Sequence, residues 1–490
     1  MRLRFGGSFL VALLAALIGA STACRKFEKP GTSCINNSGC FSGEVCCGNV
    51  CIALSKCSDG GVVGSDGGSD AGDAGDAGAG TNTPISPATG LPATSPTIAV
   101  DRTGRVMTAW LQELSQGSGD YVWTRRYLPD AGWLDAGVLS LAANCASPQV
   151  AVGADGFGVV AWIQSSRINA ALFDADGGFS NPLLIETSVP NGADASTNVR
   201  VGADRYGSVA VVWERDARIY WNVAVDGGWA TVAEVSDDAD ASATFPVVAL
   251  HPTSGDVFFA FVRQPLATRS VFVRKTNLTT SGWSSNALRI DSEPNANVNG
   301  PRIAVDGLGN AIVVWEQESV GSTRIWYNRY TPDAGWGDAG TVSTGTTAAS
   351  AAEIGVDGDG GAVAIWRQPP DGVFQPAIFT SGFNAAFGVP WSTAKAVSDL
   401  GPSSDGAHLA LAPNGSGGVV WREDGTKIRV GLVVGLGVGS ATTVVSGGGV
   451  DAPAVAANPS GLDGVHVVWA GYIAGSADGG AKRIFWTTKK

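Results

Sequence analysis

The chain is poor in charge, and poorest in positive charge. Charged residues make up 16% of its 490 positions, below the roughly 25% usual for soluble domains. Lys and Arg number 32 against 44 Asp and Glu, a net charge of −12. No net positive field exists to draw phosphates, which excludes a generic nucleic-acid binder. Histidine is nearly missing, at three residues, so His-based metal centres and His general bases have little to be built from. Beyond the N-terminal segment no apolar run is long enough to cross a bilayer. Catalytic signatures are missing too: there is no Gly-x-Ser-x-Gly elbow, His-Glu-x-x-His pair or phosphate loop. What abounds is glycine, 68 residues, and tryptophan, 16 residues that all lie from Trp110 onward.

Met1–Ala23 has the form of a secretory signal. Arg2 and Arg4 give a charged start, and Phe9 to Ile18 is an apolar stretch too short to span a membrane. It ends Ser21-Thr22-Ala23-Cys24. This resembles a bacterial lipobox, with Ser21 where that motif usually carries Leu. The resemblance implies cleavage before Cys24 and lipidation of its thiol; an ordinary signal cleaved after Ala23 is the other reading. Residues 24–33 then form a tether. The expected location is the bacterial cell envelope, at the outer membrane, with the lipid as the only membrane attachment.

Cys34, Cys40, Cys46, Cys47, Cys51 and Cys57 crowd residues 34–57. No hydrophobic core fits in so short a segment, and in an exported chain disulfides are the expected staples. Six cysteines allow 15 connectivities. A metal site is the weaker rival, since no His lies nearby and no pair of CxxC units exists. The order of the cysteines resembles the inhibitor-knot framework and the Cys-rich N-terminal module of Dickkopf-type proteins. If the knot resemblance holds, it implies the pairs Cys34–Cys47, Cys40–Cys51 and Cys46–Cys57. Cys145 is then left over, and a buried free thiol is expected. Residues 58–82, rich in Gly, Asp and Ala and without apolar periodicity, read as a flexible linker.

From residue 83 to 490 one phrase recurs: an I-x-V strand, an Asp-x-x-Gly turn, then a Val-rich strand ending in an aromatic. The aromatics are Trp110, Trp162, Trp213, Phe261, Trp315, Trp366, Trp421 and Trp469, spaced about 51 residues apart. That is the length of one four-stranded propeller blade. A third strand opens on Arg or Lys followed by Ile, as at Arg218-Ile219 and Arg483-Ile484, and a short Val-Ser-like fourth follows, as at Val342-Ser343. The eighth copy stops after its third strand, while Pro84-Ile85-Ser86 stands ahead of the first copy like an orphan fourth. The fold expected is all-β: an eight-bladed β-propeller of four-stranded blades, its ring closed by an N-terminal strand and preceded by a small disulfide-rich module. Closure leaves no exposed inner edge.

The repeated Asp invites a calcium reading, but calcium loops need several converging carboxylates, and three copies carry His251, Ala412 or Asn458 instead. A turn-forming Asp explains the scatter. The Asp-x-x-Gly…Trp phrase loosely resembles the Asp-box hairpin of sialidase-like propellers, though no copy has that box's spacing. No metal or cofactor is implied. The recurring Trp at the end of the second strand is expected to pack between blades, and core is also expected for Trp123, Trp221, Trp326 and Trp486 in the third strands, with sugar stacking as their alternative. His466, inside a strand, reads as a core residue.

Function sits on variable loops over rigid scaffolds. The variable loops here follow the recurring aromatic, so the candidate binding face comprises Gln112, Gln164, Glu214, Arg215, Arg263, Glu316, Gln317, Arg367, Gln368, Arg422 and Glu423. The whole resembles multi-repeat propeller lipoproteins of bacterial envelopes. Together these features imply a surface module that binds glycan or protein without catalysis; a propeller hydrolase or lyase acting on extracellular polysaccharide is the alternative.

Overall fold

A computed structural model of the chain describes residues 82–490 apart from loops 188–194, 238–241, 266–267, 293–295, 385–390, 462–463 and 473–480 and positions 285 and 320. It also describes the backbone of two short strands, Glu44–Cys47 and Val50–Ala53, a hairpin that sets Cys46 opposite Cys51 and Cys47 opposite Val50. The signal, Cys24, the remaining cysteines of the knot and the linker lie outside the described residues.

Eight antiparallel sheets make up residues 83–490. They are blade 1 (93–138), blade 2 (145–184), blade 3 (197–234), blade 4 (242–289), blade 5 (298–341), blade 6 (350–396), blade 7 (404–446) and blade 8 (454–489). Within each, strands A, B and C follow in order, and strand D is a short outer piece, split in two in most blades. Strand A of each blade touches strand A of the next, and the eighth touches the first, so the A strands form a closed inner ring.

The sequence repeats explain each joint. In the A–B turn, Asp101 Oδ1 accepts the N–H groups of Thr103 at 2.8 Å and Arg105 at 3.0 Å, and Gly104 adopts a φ of 83°, the left-handed conformation that favours glycine. Where Asp is missing, another acceptor serves. His251 Nδ1 takes the N–H groups of Thr253 and Ser254 at 3.0 and 2.9 Å, and Asn458 Oδ1 takes that of Ser460 at 2.9 Å. In blades 2 and 7 the acceptor has moved two positions on, to Asp155 and Asn414.

The Val-Ser phrase is the last rung of the C–D ladder. In blade 5 Val342 N–H donates to Ile325 O, and Ser343 Oγ accepts from Ile325 N–H, both at 2.8 Å. The orphan strand reproduces this in blade 8. Thr83 and Pro84 pair with Trp486 and Phe485, Ile85 N–H donates to Ile484 O at 2.8 Å, and Ser86 Oγ accepts from Ile484 N–H at 2.9 Å. The N-terminal strand therefore closes the ring as expected.

No single core exists. Eight apolar clusters occupy the spaces between neighbouring blades, one per interface. The recurring aromatic of each blade sits in the cluster shared with the preceding one: Trp162 packs with Ala109 and Leu111 of blade 1, Trp213 with Val159 and Ala161 of blade 2. All eight are at most 1% exposed. Of the third-strand tryptophans, Trp221 is buried and Trp123, Trp326 and Trp486 are half-buried against these clusters. Cys145 is a buried free thiol, and burial, its largest influence, raises its pKa. His466 is buried and stacks on Trp486 at 5.9 Å.

The x of I-x-V is Ala in six blades and Gly at Gly202 and Gly355, because it faces the neighbouring inner strand. A Cβ on Gly355 would lie 2.9 Å from Leu411 Cβ, and one on Gly202 would lie 2.9 Å from Leu250 Cδ1. Neither glycine has a positive φ, so space alone demands the small residue. Gly355→Val should therefore destabilise the ring by about 1–3 kcal/mol through overpacking, read as a lower urea midpoint at unchanged slope. Gly137→Val, on an outer strand with nothing within 4 Å of the added Cβ, should leave the midpoint near wild type. Equal midpoints for the two variants would contradict close packing of the inner strands.

Candidate functional site

Eight inner strands held apart by their blades leave a space at the centre that apolar side chains do not fill. Strand A starts on the edge that carries the B–C and D–A loops and ends at the A–B turns on the other edge. Near its start it bulges. Register breaks between Thr94 and Thr97, and at the matching place in blades 2 to 7. The bulged residues Ser95, Ser147, Asn198, Phe245, Gly300, Ala351 and Gly406 all have φ between 48° and 56°. Such bulges re-aim the side chain that follows and gather near functional sites.

The residue after the bulge, just ahead of I-x-V, is Thr97, Gln149, Arg200, Val247, Arg302, Glu353, His408 or Ala454 in blades 1 to 8. Its chemistry changes from blade to blade, from apolar to cationic to acidic. Thr97, Gln149, Arg200, Glu353 and His408 line a cavity of about 550 Å³, with Thr94, Ser95, Ser147 and Asp451 around its opening. That volume falls within the range of small-molecule sites.

His408 and Glu353 couple across the interface of blades 6 and 7. His408 Nδ1 lies 2.9 Å from Glu353 Oε1, and Leu409 N–H donates to Glu353 Oε2 at 2.9 Å. Burial by itself would raise the Glu353 carboxyl. The charge and hydrogen bond of His408, the Arg302 guanidinium and the Leu409 N–H outweigh it and hold the group below the usual carboxylate range. His408 is raised, first by the Glu353 charge, against burial and the repulsion of Arg302 and Arg200. Burial and then the Arg302 charge press the Arg200 guanidinium below its ordinary value. On the rim, Arg422 holds Asp405 through two bonds of 2.7 and 2.8 Å, and Lys482 holds Asp451 at 2.6 Å.

The residues expected to form the binding face divide into two sets. Those two positions after the aromatic turn inward. Gln112, Gln164, Gln317 and Gln368 each accept the indole N–H of their own Trp, at 2.8 to 3.1 Å. Gln112 and Gln368 also fasten the preceding D–A loop, donating to Thr89 Oγ1 and to Thr344 O at 2.9 Å. Arg215 does so through Glu186 at 3.1 Å, and Arg263 through Asp237 at 3.2 Å while lying 3.7 Å over the Phe272 ring. Glu423, fully buried, pairs with Lys427 at 2.9 Å.

The set directly after the aromatic bonds to backbone at the bulge, or just ahead of it or of strand A, in the next blade. Glu214 accepts Phe245 N–H at 3.3 Å and Glu316 accepts Ala351 N–H at 2.7 Å. Arg367 donates to Ser404 O at 3.0 Å and Arg422 to Val450 O at 3.3 Å. These four lie on the edge that carries the B–C loops, and none of them lines the cavity. The same edge carries Phe374, 98% exposed on the B–C loop of blade 6. Sequence reading missed Arg200, Arg302, Glu353 and His408. The signal lay in aligning the repeats and asking which strand-A position varies. Among the described residues no cluster of three metal-ligating side chains occurs.

No protein-family model and no curated protein matches the chain. Among solved structures it is similar to a protein of unknown function from Dyadobacter fermentans, at 9% identity over 83% of this chain and 97% of the other, with a TM-score of 0.42. It is also similar to the polysaccharide lyase Uly1, at 10% identity over 71% and 88%, TM-score 0.45. A third likeness is to an α-L-arabinanase of Penicillium chrysogenum complexed with arabinobiose, at 12% identity over 84% and 98%, TM-score 0.38.

The coupled pair has a defined pH window. The raised His408 contributes stability that is fully present below its unfolded value of about 6.5 and lost as pH rises through its folded value. The depressed Glu353 contributes stability that is present above the unfolded carboxylate range and lost as pH falls through its folded value. With only three histidines, imidazole resonances can be assigned by substitution. His408 should titrate above 6.5. His251, lowered first by burial, should titrate below it. Glu353→Gln should bring the His408 midpoint down to 6.5 or lower, since burial and both arginines remain; an unmoved midpoint would rule the pairing out.

Proposed function

We propose that this protein is a binding module of the bacterial cell surface, its propeller taking a glycan or protein ligand at the channel mouth without catalysing its conversion. The cavity of about 550 Å³ carries this reading. It is open, polar, set on rigid inner strands, and walled by the strand-A position whose chemistry varies among the repeats. Glu214, Glu316, Arg367 and Arg422, directly after the recurring aromatics, lie on the same edge and add charged groups there.

Electrostatics favour binding over turnover. Glycoside hydrolysis needs a carboxylic acid whose pKa is raised so that it can donate a proton, whereas the Glu353 carboxyl is shifted the other way, downward, by His408 and Arg302. Proton abstraction from a uronate needs a free base, whereas the Glu353 charge shifts His408 toward its protonated form. The hydrolase or lyase reading retains one favourable observation, the oriented His408–Glu353 pair in the cavity.

A glycan array read beside a turnover screen on the same polymers separates the two. Retained ligand without cleavage is expected; product release would replace this reading by the enzymatic one. Arg367→Gln with Arg422→Gln keeps a donor toward the neighbouring blade but removes both charges, and should weaken the ligand found by roughly tenfold. Asp130→Arg with Asp333→Arg, in C–D turns of the opposite edge, should leave it unchanged. The reverse pattern would place the site on the other edge.

Anchoring through Cys24 belongs to the same proposal. Among the described residues no helix is long and apolar enough to cross a membrane, and one acyl chain holds a protein only marginally whereas two or three hold it firmly. Mass spectrometry of the mature N-terminus should find a diacylated or triacylated Cys24, and Cys24→Ala should release the protein. An unmodified terminus elsewhere would reject the anchor.

A further inference from the structure

The chain carries −12 overall, yet the wall of its channel is cationic. Arg200, Arg302 and His408 face a single carboxylate, Glu353, and that carboxylate is already engaged by His408 at 2.9 Å. Among the described residues neither Arg200 nor Arg302 belongs to an ion pair within 4 Å; each gives one N–H to the carbonyl just before it, Val199 O at 2.9 Å and Pro301 O at 3.0 Å. Of the other charges on this edge, Lys482 is matched with Asp451 and Arg422 with Asp405, while Glu214 and Glu316 accept backbone N–H groups of the next blade and Arg367 donates to a backbone carbonyl. Arg200 thus lines the cavity without an ion-pair partner among the described residues, and the Arg302 charge acts on both it and Glu353, in a recess walled by protein where field lines concentrate. A guanidinium presents five donors in a planar fork that fits carboxylate and sulfate oxygens.

The opposite wall has a different character. Blades 1 and 2 contribute Thr94, Ser95, Thr97, Ser147 and Gln149 to the same cavity. Hydroxyl and amide groups both donate and accept, which suits a ring of sugar hydroxyls better than an acidic peptide side chain. Resting on the binding reading above, we propose that the channel mouth is an anion site for an acidic sugar, seating its carboxylate or sulfate against Arg200 and His408 while its hydroxyls meet the Thr, Ser and Gln wall. Arg302 acts behind them, keeping the field positive where Glu353 would cancel it.

The test uses the full mature chain and follows the His408 imidazole resonance while D-glucuronate, inorganic sulfate, D-glucose or N-acetylglutamate amide is added. Glucuronate should shift His408 saturably and bind at least tenfold more tightly than glucose and than N-acetylglutamate amide. Saturable binding of sulfate would confirm the anion seat, and its strength relative to glucuronate tells a sulfated sugar from a uronate. Arg200→Gln should weaken glucuronate at least tenfold, and Arg200→Lys, which keeps the charge and guards against misfolding, should recover most of that loss. Glucose binding as well as glucuronate, tighter binding of N-acetylglutamate amide, or full glucuronate affinity in Arg200→Gln would each overturn the anion site. The outcomes separate from those of the array. Array binding to neutral glycans that survives Arg200→Gln leaves the binding reading standing and removes this one. A blank array with a saturable, Arg200-dependent glucuronate shift does the opposite.

Discussion

Every blade has two apolar faces and only its neighbours to cover them. Each recurring aromatic is wedged into the preceding blade's face, and losing one such buried ring costs ~3–5 kcal/mol. Because the apolar clusters lie between blades rather than at the centre, the middle of the molecule is left over from packing. The indole that is driven inward finds a partner for its N–H in the Gln two residues later in blades 1, 2, 5 and 6, whereas the Trp213 and Trp421 indoles have none among the described residues. The inner strands must approach closely, which restricts the middle of I-x-V to Ala or Gly. Only the position ahead of that triplet escapes both demands, and there the charged groups of the channel collect.

Repeats made the architecture legible. A wedge that must recur in every blade leaves the same residue at the same interval, so blade number and strand order could be read from Trp spacing. The orphan fourth strand was recognisable because Ile85-Ser86 carries the hydroxyl that ends the C–D ladder in blades 1, 3, 5 and 6. The turns were legible because a side-chain acceptor at or near the first position and a left-handed Gly behind it are local requirements, met by Asp101, His251 or Asn458 alike.

The site was less legible, for the converse reason. Gln112 and Gln368 look like solvent-facing loop residues in the sequence, because strand B runs on past the aromatic and nothing local says that their amides reach back to an indole and a loop more than twenty residues away in the chain. Arg200, Glu353 and His408 lie far apart in sequence and in three different blades, and ring geometry alone brings them to one cavity. The bulge that re-aims them is also hidden: it needs a positive φ, yet uses Ser95, Asn198, Phe245 and Ala351 as readily as Gly300.

The clasp has a topological consequence. In blade 8 strand C, ending at Lys489, is bonded to Thr83 and Pro84, so the only covalent break in the ring of blades falls between those two strands, where every other blade has a short C–D turn. Joining Lys490 to residue 83 through such a turn would make the backbone a seamless circle in which all eight blades have the same connectivity. The molecule could then be cut at any D–A loop without changing which strands pair. A circular permutant opened at residues 188–194 would begin at strand A of blade 3 and end at strand D of blade 2, with no blade shared between its termini, and would present the same channel.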